Sequence, residues 1–175
     1  MHKATREMTK ILPEVDLVIE LLDARLPASS QNPVIAALSQ TKPCIKILSK
    51  SDLADPETTT AWQDHFEQDA SVKTLQTTLD QADKAQKVTR LCQALVPGKA
   101  LEHLRIVAMV AGIPNVGKST LINALAGRRV TKTGDEPAIT KSQQRIKLEE
   151  GITLLDTPGI LRPKIENENS GYRLA

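Results

Sequence analysis

The residues with the clearest chemical pattern lie at 112–119, where the chain reads GIPNVGKS. This stretch matches the phosphate-binding pattern GxxxxGK[ST] at every fixed position, and it stands between an apolar run and a helical pattern. The glycines would let backbone N–H groups converge on phosphate oxygens, while Lys118 would reach the β- and γ-phosphates and Ser119 would ligate Mg²⁺. We therefore predict a nucleoside triphosphate site. The alternative is a glycine-rich turn with an incidental Lys-Ser pair.

A second motif, DTPG at 156–159, ends another apolar run. Asp156 would hold Mg²⁺ through water, and the Gly159 amide would contact the γ-phosphate. Thr140 lies between the two motifs in a basic polar segment. We predict that Thr140 closes over the metal and the γ-phosphate, rather than being an ordinary solvated residue. Lys118 and Thr140 are thus the predicted catalytic residues.

A third motif, Ser49-Lys50-Ser51-Asp52, follows the apolar run 45–49. Ligands of open α/β sheets bind at this end of a strand. Asp52 can accept two hydrogen bonds from the N1–H and the exocyclic amine of guanine, whereas adenine offers no matching pair of donors. The stem of Lys50 can pack along the base. Beside a phosphate site, the tetrapeptide predicts guanine recognition; alone, it is more typical of a helix-capping loop.

Short apolar runs alternate with longer amphipathic stretches, which predicts an α/β fold: a mostly parallel sheet with helices on both faces. The predicted strands are 15–22, 45–49, 72–76, 106–111, 145–149 and 152–156. The predicted helices are 1–12, 33–39, 58–67, 84–95 and 118–126. Gly127 is the predicted stop signal of the last helix.

Composition narrows the class of protein. With 175 residues, 40% hydrophobic and 25% charged, the chain predicts one soluble globular domain, and no apolar run approaches the ~18 residues of a membrane span. Aromatic residues make up 2%, which argues against a base-stacking platform for single-stranded nucleic acid. Cys44 and Cys92 lack metal-ligand or redox spacing, and Cys44 is expected to be a buried thiol. No signal segment is recognised, so we expect a cytoplasmic protein with no membrane partner.

Charge is distributed unevenly along the chain, although the net charge is only +2. Residues 53–70 contain five acidic residues and neither lysine nor arginine. The stretch 128–147 has an excess of four positive charges. It is a candidate RNA-facing surface; equally, it is a solvated loop whose charge offsets that of a triphosphate.

The order of the motifs is unusual, because the guanine motif at 49–52 precedes the phosphate motif at 112–119. Ras-like GTPases have the reverse order. A circular permutation moves the chain ends while keeping the contacts, so one site can still form. Residues 96–99, Val-Pro-Gly-Lys, are the predicted joint. They would divide one domain into a guanine-specificity half, 1–97, and a P-loop and switch half, 98–175.

With these motifs in this order, the chain resembles the YlqF/RbgA family of circularly permuted bacterial GTPases. The resemblance covers essentially the whole chain, and it also rests on DARLP at 23–27, SQNP at 30–33, KTGD at 132–135 and DTPGIL at 156–161. It implies a Ras-like P-loop fold and slow, partner-stimulated hydrolysis of GTP to GDP. It also implies a role in late assembly of the large ribosomal subunit, with ribosomal RNA and protein as partners and a monomeric chain.

The resemblance implies roles for individual residues. Thr140 and Ser119 would ligate Mg²⁺, and Gly159 would sense the γ-phosphate. Asn115 matches the P-loop asparagine of potassium-activated GTPases, which implies K⁺ as a further cofactor. The loop that closes over the guanine would fall near Thr77 and Thr78. The implied phosphate-binding residues are Asn115, Val116, Gly117, Lys118, Ser119 and Thr120.

The chain departs from the family pattern at four places. Ser49 replaces the usual asparagine of the guanine motif, so it lacks the amide that contacts the base and ties the motif to the P-loop. Ala138 replaces a common glycine before the switch threonine. The resemblance would place the family's histidine just before Met1, and we expect that His2, displaced by two positions, does not take its role. It would place the family's helical RNA-binding domain after Ala175, and we expect this chain to lack that domain.

Three functions compete at this stage. The first is a GTP-hydrolysing switch; Ile160 stands where Ras-like enzymes position water with glutamine, so another group would have to do so. The second is a nucleotide-gated RNA- or ribosome-binding module with little intrinsic hydrolysis. The third, an ATPase or kinase, is disfavoured by Asp52.

Overall fold

The computed structural model describes residues 10–39, 41–78, 83–131 and 144–157. Within these ranges the chain forms one six-stranded sheet. Its strands are β1 (Leu17–Asp23), β2 (Cys44–Ser49), β3 (Val72–Thr77), β4 (Ile106–Gly112), β5 (Gln144–Lys147) and β6 (Ile152–Asp156).

The strand order across the sheet is β3-β2-β1-β4-β6-β5. All neighbouring strands are parallel except β5 and β6, which are antiparallel. The predicted mostly parallel α/β sheet is therefore confirmed. Because β1, β2, β4 and β6 run in the same direction, their carboxyl ends meet at one edge of the sheet.

Helices follow most of the strands. They are α1 (Pro27–Ser30), α2 (Pro33–Ser39), α3 (Pro56–Phe66), α4 (Lys84–Leu95), α5 (Pro97–Leu101) and α6 (Lys118–Ala126), with 3-10 turns at Leu12–Glu14 and Ser51–Leu53. Proline at the first position of α3 has the backbone angle that a helix start requires. The side chain of Asp55 caps that helix by accepting a hydrogen bond from the backbone N–H of Thr58 at 2.8 Å.

Aliphatic side chains cover both faces of the sheet. One face packs against α4 and α6, which contribute Val88, Cys92, Leu121, Ile122 and Leu125. The opposite face packs against Ile35 of α2 and Phe66 of α3. Helices on both faces of a parallel sheet are the arrangement that the alternating sequence pattern predicts.

Most predicted elements agree with the observed ones. The bounds of α2, α4, α6 and β6 are those predicted. The other strands differ by one or two residues at one or both ends, and α3 begins two residues and ends one residue earlier than the predicted helix 58–67. The predictions did not include α1 or α5. The helix predicted over 1–12 falls mostly outside the described residues.

The predicted joint overlaps the first three residues of α5 and is tied to the beginnings of two strands. Asp16, just before β1, accepts hydrogen bonds from Lys99 Nζ and from the backbone N–H of Val107, both at 2.8 Å. The backbone N–H of Asp16 donates to Val107 O at 2.8 Å. These contacts fix the entry into β4, from which the P-loop follows.

Both cysteines are buried free thiols, as expected for Cys44. Burial raises the pKa of Cys44 and of Cys92 to about 12, so neither thiol ionises near neutral pH. Separately, no helix in the described part of the chain is long and apolar enough to cross a membrane.

Candidate functional site

The three sequence motifs meet at the carboxyl edge of the sheet. Ser49 ends β2, Gly112 ends β4 and Asp156 ends β6. Thr78 directly follows β3, which also ends at this edge. Two further predicted site residues, Thr140 and Gly159, lie outside the described residues.

The backbone of the P-loop is shaped by two glycines. A Cβ at Gly112 would come within 2.9 Å of Val116 Cγ1 and 3.1 Å of the Leu21 carbonyl oxygen, so only glycine fits there. Gly117 has a φ of 98°, in the left-handed region that favours glycine, and it caps α6. Asn115 also has a positive φ, 60°. The chain therefore turns back sharply, and α6 begins at the site edge with its N–H groups available for an anion.

Lys118 connects the P-loop to the end of β6. Its Nζ forms an ion pair with Asp156 and donates a hydrogen bond to the Thr157 carbonyl oxygen at 2.9 Å. Thr157 is itself anchored, because its hydroxyl donates to Val110 O of β4 at 2.7 Å. Asp156 is only 2% exposed, so its carboxylate is held in a nearly dry position beside the P-loop.

Ser119 and Thr120 occupy the first turn of α6 and are half-buried. The predicted magnesium residues Ser119 and Asp156 thus belong to elements that the Lys118 contact connects. Hydroxyl and carboxylate oxygens are hard donors of the kind that Mg²⁺ prefers, and the buried carboxylate adds negative charge. The described part of this donor set is chemically suited to Mg²⁺.

Ser49 ties the guanine motif to the P-loop. Its hydroxyl lies 2.8 Å from Val116 O and 3.0 Å from Leu22 O, both acceptors for its single proton, and the residue is buried. The amide that usually makes this tie is absent, as the sequence indicates, but the serine hydroxyl makes the tie instead. A serine hydroxyl is short, but β2 ends close enough to Val116 for it to reach the carbonyl.

The other residues of the guanine motif are set by an unusual backbone conformation. Lys50 has a φ of 56°, in the left-handed region, and its Nζ lies 3.2 Å from Asp23 Oδ2. Ser51 and Asp52 then form a 3-10 turn, closed by a hydrogen bond from Leu53 N to Lys50 O at 3.0 Å. Asp52 is exposed at the site edge, where its carboxylate is accessible to a ligand.

Asp23 belongs to this end of the site, although the sequence motifs did not predict it as a site residue. Burial alone would raise the pKa of its carboxyl group. Hydrogen bonds from the side chain and backbone of Arg25 and from Lys50 outweigh this effect, and together they lower the pKa to about 2. The carboxylate is therefore ionised at neutral pH. The sequence signal that could have identified Asp23 is an acidic residue directly at the end of an apolar run, as is also found at Asp156.

The beginning of the basic stretch 128–147 is fixed on α6. Asn123 Oδ1 accepts hydrogen bonds from the backbone N–H groups of Val130 and Thr131 at 2.8 Å, and its amide donates to Thr131 O at 2.9 Å. The Thr131 hydroxyl lies 3.2 Å from Ser119 O. The segment that leads toward Thr140 thus starts from a defined point beside the P-loop.

Comparisons with known proteins agree with this arrangement. A family model described as 50S ribosome-binding GTPase matches residues 107–174. Ribosome biogenesis GTPase A of Bacillus pumilus is 47% identical over 181 residues; the match covers 100% of this chain and 64% of that protein. Mitochondrial ribosome-associated GTPase 1 of Bos taurus is 34% identical, and the match covers 100% of this chain and 56% of that protein.

A solved structure, that of GNP-bound YlqF from T. maritima, superposes with a TM-score of 0.70 at 30% identity. The match covers 98% of this chain and 64% of that one. The chain therefore spans between 56% and 64% of the length of these relatives.

Proposed function

Because the chain belongs to the YlqF/RbgA family of circularly permuted GTPases, we propose that it is a GTP-binding and GTP-hydrolysing switch that assists late assembly of the large ribosomal subunit. The observation that carries the proposal is the contact between Ser49 and Val116, which joins the guanine motif to the P-loop. One nucleotide can then span both motifs, with its base at Asp52 and its phosphates at the start of α6.

In this proposal the phosphates bind the backbone N–H groups of residues 115–120. Lys118 leaves Asp156 to contact the β- and γ-phosphates, since a triphosphate offers it more negative charge than one carboxylate. The guanine base pairs with Asp52, packs against the stem of Lys50 and is covered by the loop at Thr78. ATP is expected to bind more weakly than GTP, because adenine would leave the Asp52 carboxylate without its two donors.

The proposed Mg²⁺ residues are Ser119, Thr140 and Asp156, and the metal would neutralise charge that develops on the phosphates. Asn115 is the proposed ligand of K⁺, beside the same phosphates. Thr140 and Gly159 are the proposed switch residues that respond to the γ-phosphate. Since Ile160 cannot orient water, we propose that turnover is slow until the ribosomal partner supplies or orders a further group.

The proposed partner is a precursor of the large ribosomal subunit, in the bacterial cytoplasm, which a monomeric chain would contact through ribosomal RNA and protein. Support comes from the names of the relatives and from the basic stretch 128–147, whose described residues Arg128, Arg129, Arg145 and Lys147 are exposed. Positive charge beside a switch loop is suited to RNA backbone, and its presentation would change with the bound nucleotide.

The test is a titration of the purified chain with GDP, a non-hydrolysable GTP analogue and ATP, in K⁺ and then in Na⁺ buffer, followed by phosphate release. We expect guanine-selective binding and slow turnover that K⁺ accelerates. Selective binding without turnover would favour the nucleotide-gated binding module instead. Equal affinity for ATP and GTP would overturn the role of Asp52.

A further inference from the structure

The segment 23–33, with the motifs DARLP and SQNP, has no part in the proposed nucleotide contacts. It forms a turn at the end of β1 that contains α1. The Ser30 hydroxyl accepts a hydrogen bond from the backbone N–H of Asp23 at 3.0 Å and lies 2.9 Å from Leu26 O. Ser30 is 1% exposed, so this polar contact is sealed from water and fixes Asp23 at the strand end.

The Asp23 carboxylate uses both oxygens. Oδ1 accepts from Arg25 N at 3.1 Å and Arg25 Nε at 2.9 Å, and Oδ2 accepts from the Arg25 guanidinium at 2.7 Å. This bidentate hydrogen bonding fixes the plane of the carboxylate, whereas a single hydrogen bond would allow the carboxylate to rotate. Oδ2 also accepts from Lys50 Nζ at 3.2 Å. The carboxylate is therefore a rigid anchor for the lysine.

Lys50 needs such an anchor. It is a non-glycine residue with a left-handed φ, a conformation that persists only where its surroundings enforce it. Asp23 pairs with Ser49 in the sheet register, and Ala24 N donates to Ser49 O at 2.9 Å. The two strand ends are thus joined by their backbones directly beside Lys50.

We infer that Asp23, fixed by Arg25, is a positioning residue for guanine recognition, which it serves by holding Lys50 along the plane of the base. The inference rests on the proposed function, because Lys50 has a base to pack against only when a guanine nucleotide binds at Asp52. The occupied oxygens of Asp23 leave it no role as a direct contact to the nucleotide.

The first test is Asp23→Asn, which keeps the shape and removes the charge. We expect GDP binding to weaken about tenfold, as for the loss of a hydrogen bond between charged groups, while ADP binding stays the same. The ratio of the GDP and ADP affinities is the decisive readout, because a general loss of folded protein would lower both affinities equally. Melting temperatures, measured alongside, report folding.

Asp16→Asn is the matched control. Asp16 is also an aspartate next to β1 with a lysine partner, Lys99 at 2.8 Å, but it lies at the opposite, amino end of the strand. We expect this variant to keep the wild-type affinity ratio. An equal fall in the ratio for Asp16→Asn would overturn the inference, because it would show that any loss of an ion pair at β1 disturbs the site.

A double-mutant cycle tests whether Asp23 acts through Lys50. In a Lys50→Gln background, Asp23→Asn is expected to have no additional effect on GDP affinity. An additional tenfold loss there would overturn the inference, as would an Asp23→Asn variant that binds GDP as tightly as the wild type or more tightly.

Arg25→Ala provides a test that does not depend on folding of the Asp23 variant, since the Arg25 side chain is 47% exposed. We expect the GDP-to-ADP ratio to fall about threefold, because the carboxylate loses its fixed plane. An unchanged ratio would overturn the inference. A wild-type chain without guanine selectivity would overturn the proposed function and the inference together, whereas a selective wild type with insensitive variants would overturn the inference alone.

Discussion

The pair of Lys46 with Glu20 and the pair of Lys118 with Asp156 have the same chemistry but lie at different places on the sheet. Lys46 Nζ is 2.6 Å from Glu20 Oε2 in the middle of β1 and β2, and it lies 4.9 Å from the centre of the Phe66 ring. Lys118 and Asp156 meet at the carboxyl edge, beside the P-loop. Side-chain exposure is low in both pairs, 8% and 1% for the first and 13% and 2% for the second.

Position along the strand, rather than burial, separates the two pairs. Glu20 accepts a second hydrogen bond from the backbone N–H of Asn32 at 3.2 Å, and Lys46 lies over the Phe66 ring. Protein groups therefore surround the interior pair. The edge pair borders the start of α6, where a bound phosphate would compete for the lysine. The interior pair is therefore structural, and we expect the edge pair to exchange its partner when nucleotide binds.

Lys46→Met would show the largest effect. It leaves the Glu20 carboxylate buried without a cation, and we expect the free energy of unfolding to fall by about 3–5 kcal/mol. Denaturant unfolding measures this. The double variant Lys46→Met with Glu20→Leu should regain most of the loss, because an apolar pair needs no desolvation of charge. A Lys46→Met protein of wild-type stability would contradict the structural role.

Lys118→Met is the matched change at the edge. We expect GDP affinity to fall about 100-fold, equivalent to about 2.7 kcal/mol, because the phosphates lose their charge-assisted donor. Calorimetry or fluorescence with a labelled GDP measures it. Lys118→Met also leaves the buried Asp156 carboxylate without its cation, which lowers stability. Adding Asp156→Leu should restore that stability but not the GDP affinity. If the double variant regained binding, the two lysines would have the same role and the comparison would fail.

Ser49→Ala sharpens the comparison, since Ser49 links the carboxyl end of β2, the strand that also carries Lys46, to the P-loop. The Val116 and Leu22 carbonyls would lose a buried donor, and we expect unfolding to become easier by about 1–2 kcal/mol. GDP affinity should fall about tenfold, because the guanine motif is no longer held against the P-loop. Ser49→Asn is the control that keeps a donor. Identical GDP binding by Ser49→Ala would show that the contact is dispensable.

Glu14→Gln extends the comparison to an exposed pair and should have the smallest effect. Glu14 pairs with Arg145, and both side chains are more than half exposed. We expect a change of at most about 0.5 kcal/mol, which about 0.5 M salt would remove because it screens exposed charges. Thermal unfolding at two salt concentrations measures this. A loss of stability as large as that of Lys46→Met would mean that burial does not determine how much an ion pair contributes to the stability of this protein.

Much of the fold could be predicted because its signals are local. Continuous aliphatic runs predict buried strands, and the amphipathic period predicts α4 and α6. The two missed helices are the short ones, α1 with four residues and α5 with five, each beginning at proline. So few residues carry too little periodicity to be distinguished from a turn.

The contacts between distant residues could not be predicted in the same way. Glu20 and Lys46 each interrupt an aliphatic run, but only the register of β1 and β2 makes them direct neighbours. The same holds for Asp23 and Lys50, which are 27 residues apart. The reach of the Ser49 hydroxyl to Val116 likewise depends on how closely β2 approaches the P-loop, which residue types alone do not specify.

The strand order also governs how the sheet can form during synthesis. Since β1, β2 and β3 are consecutive in the chain and adjacent in the sheet, this half can pair before the rest exists. The P-loop begins 60 residues after the guanine motif ends, a delay of about 3–12 s at ~5–20 residues per second. β4 then pairs with the open edge of β1. The guanine end of the site can therefore form first, and the phosphate end is added to strands that are already paired.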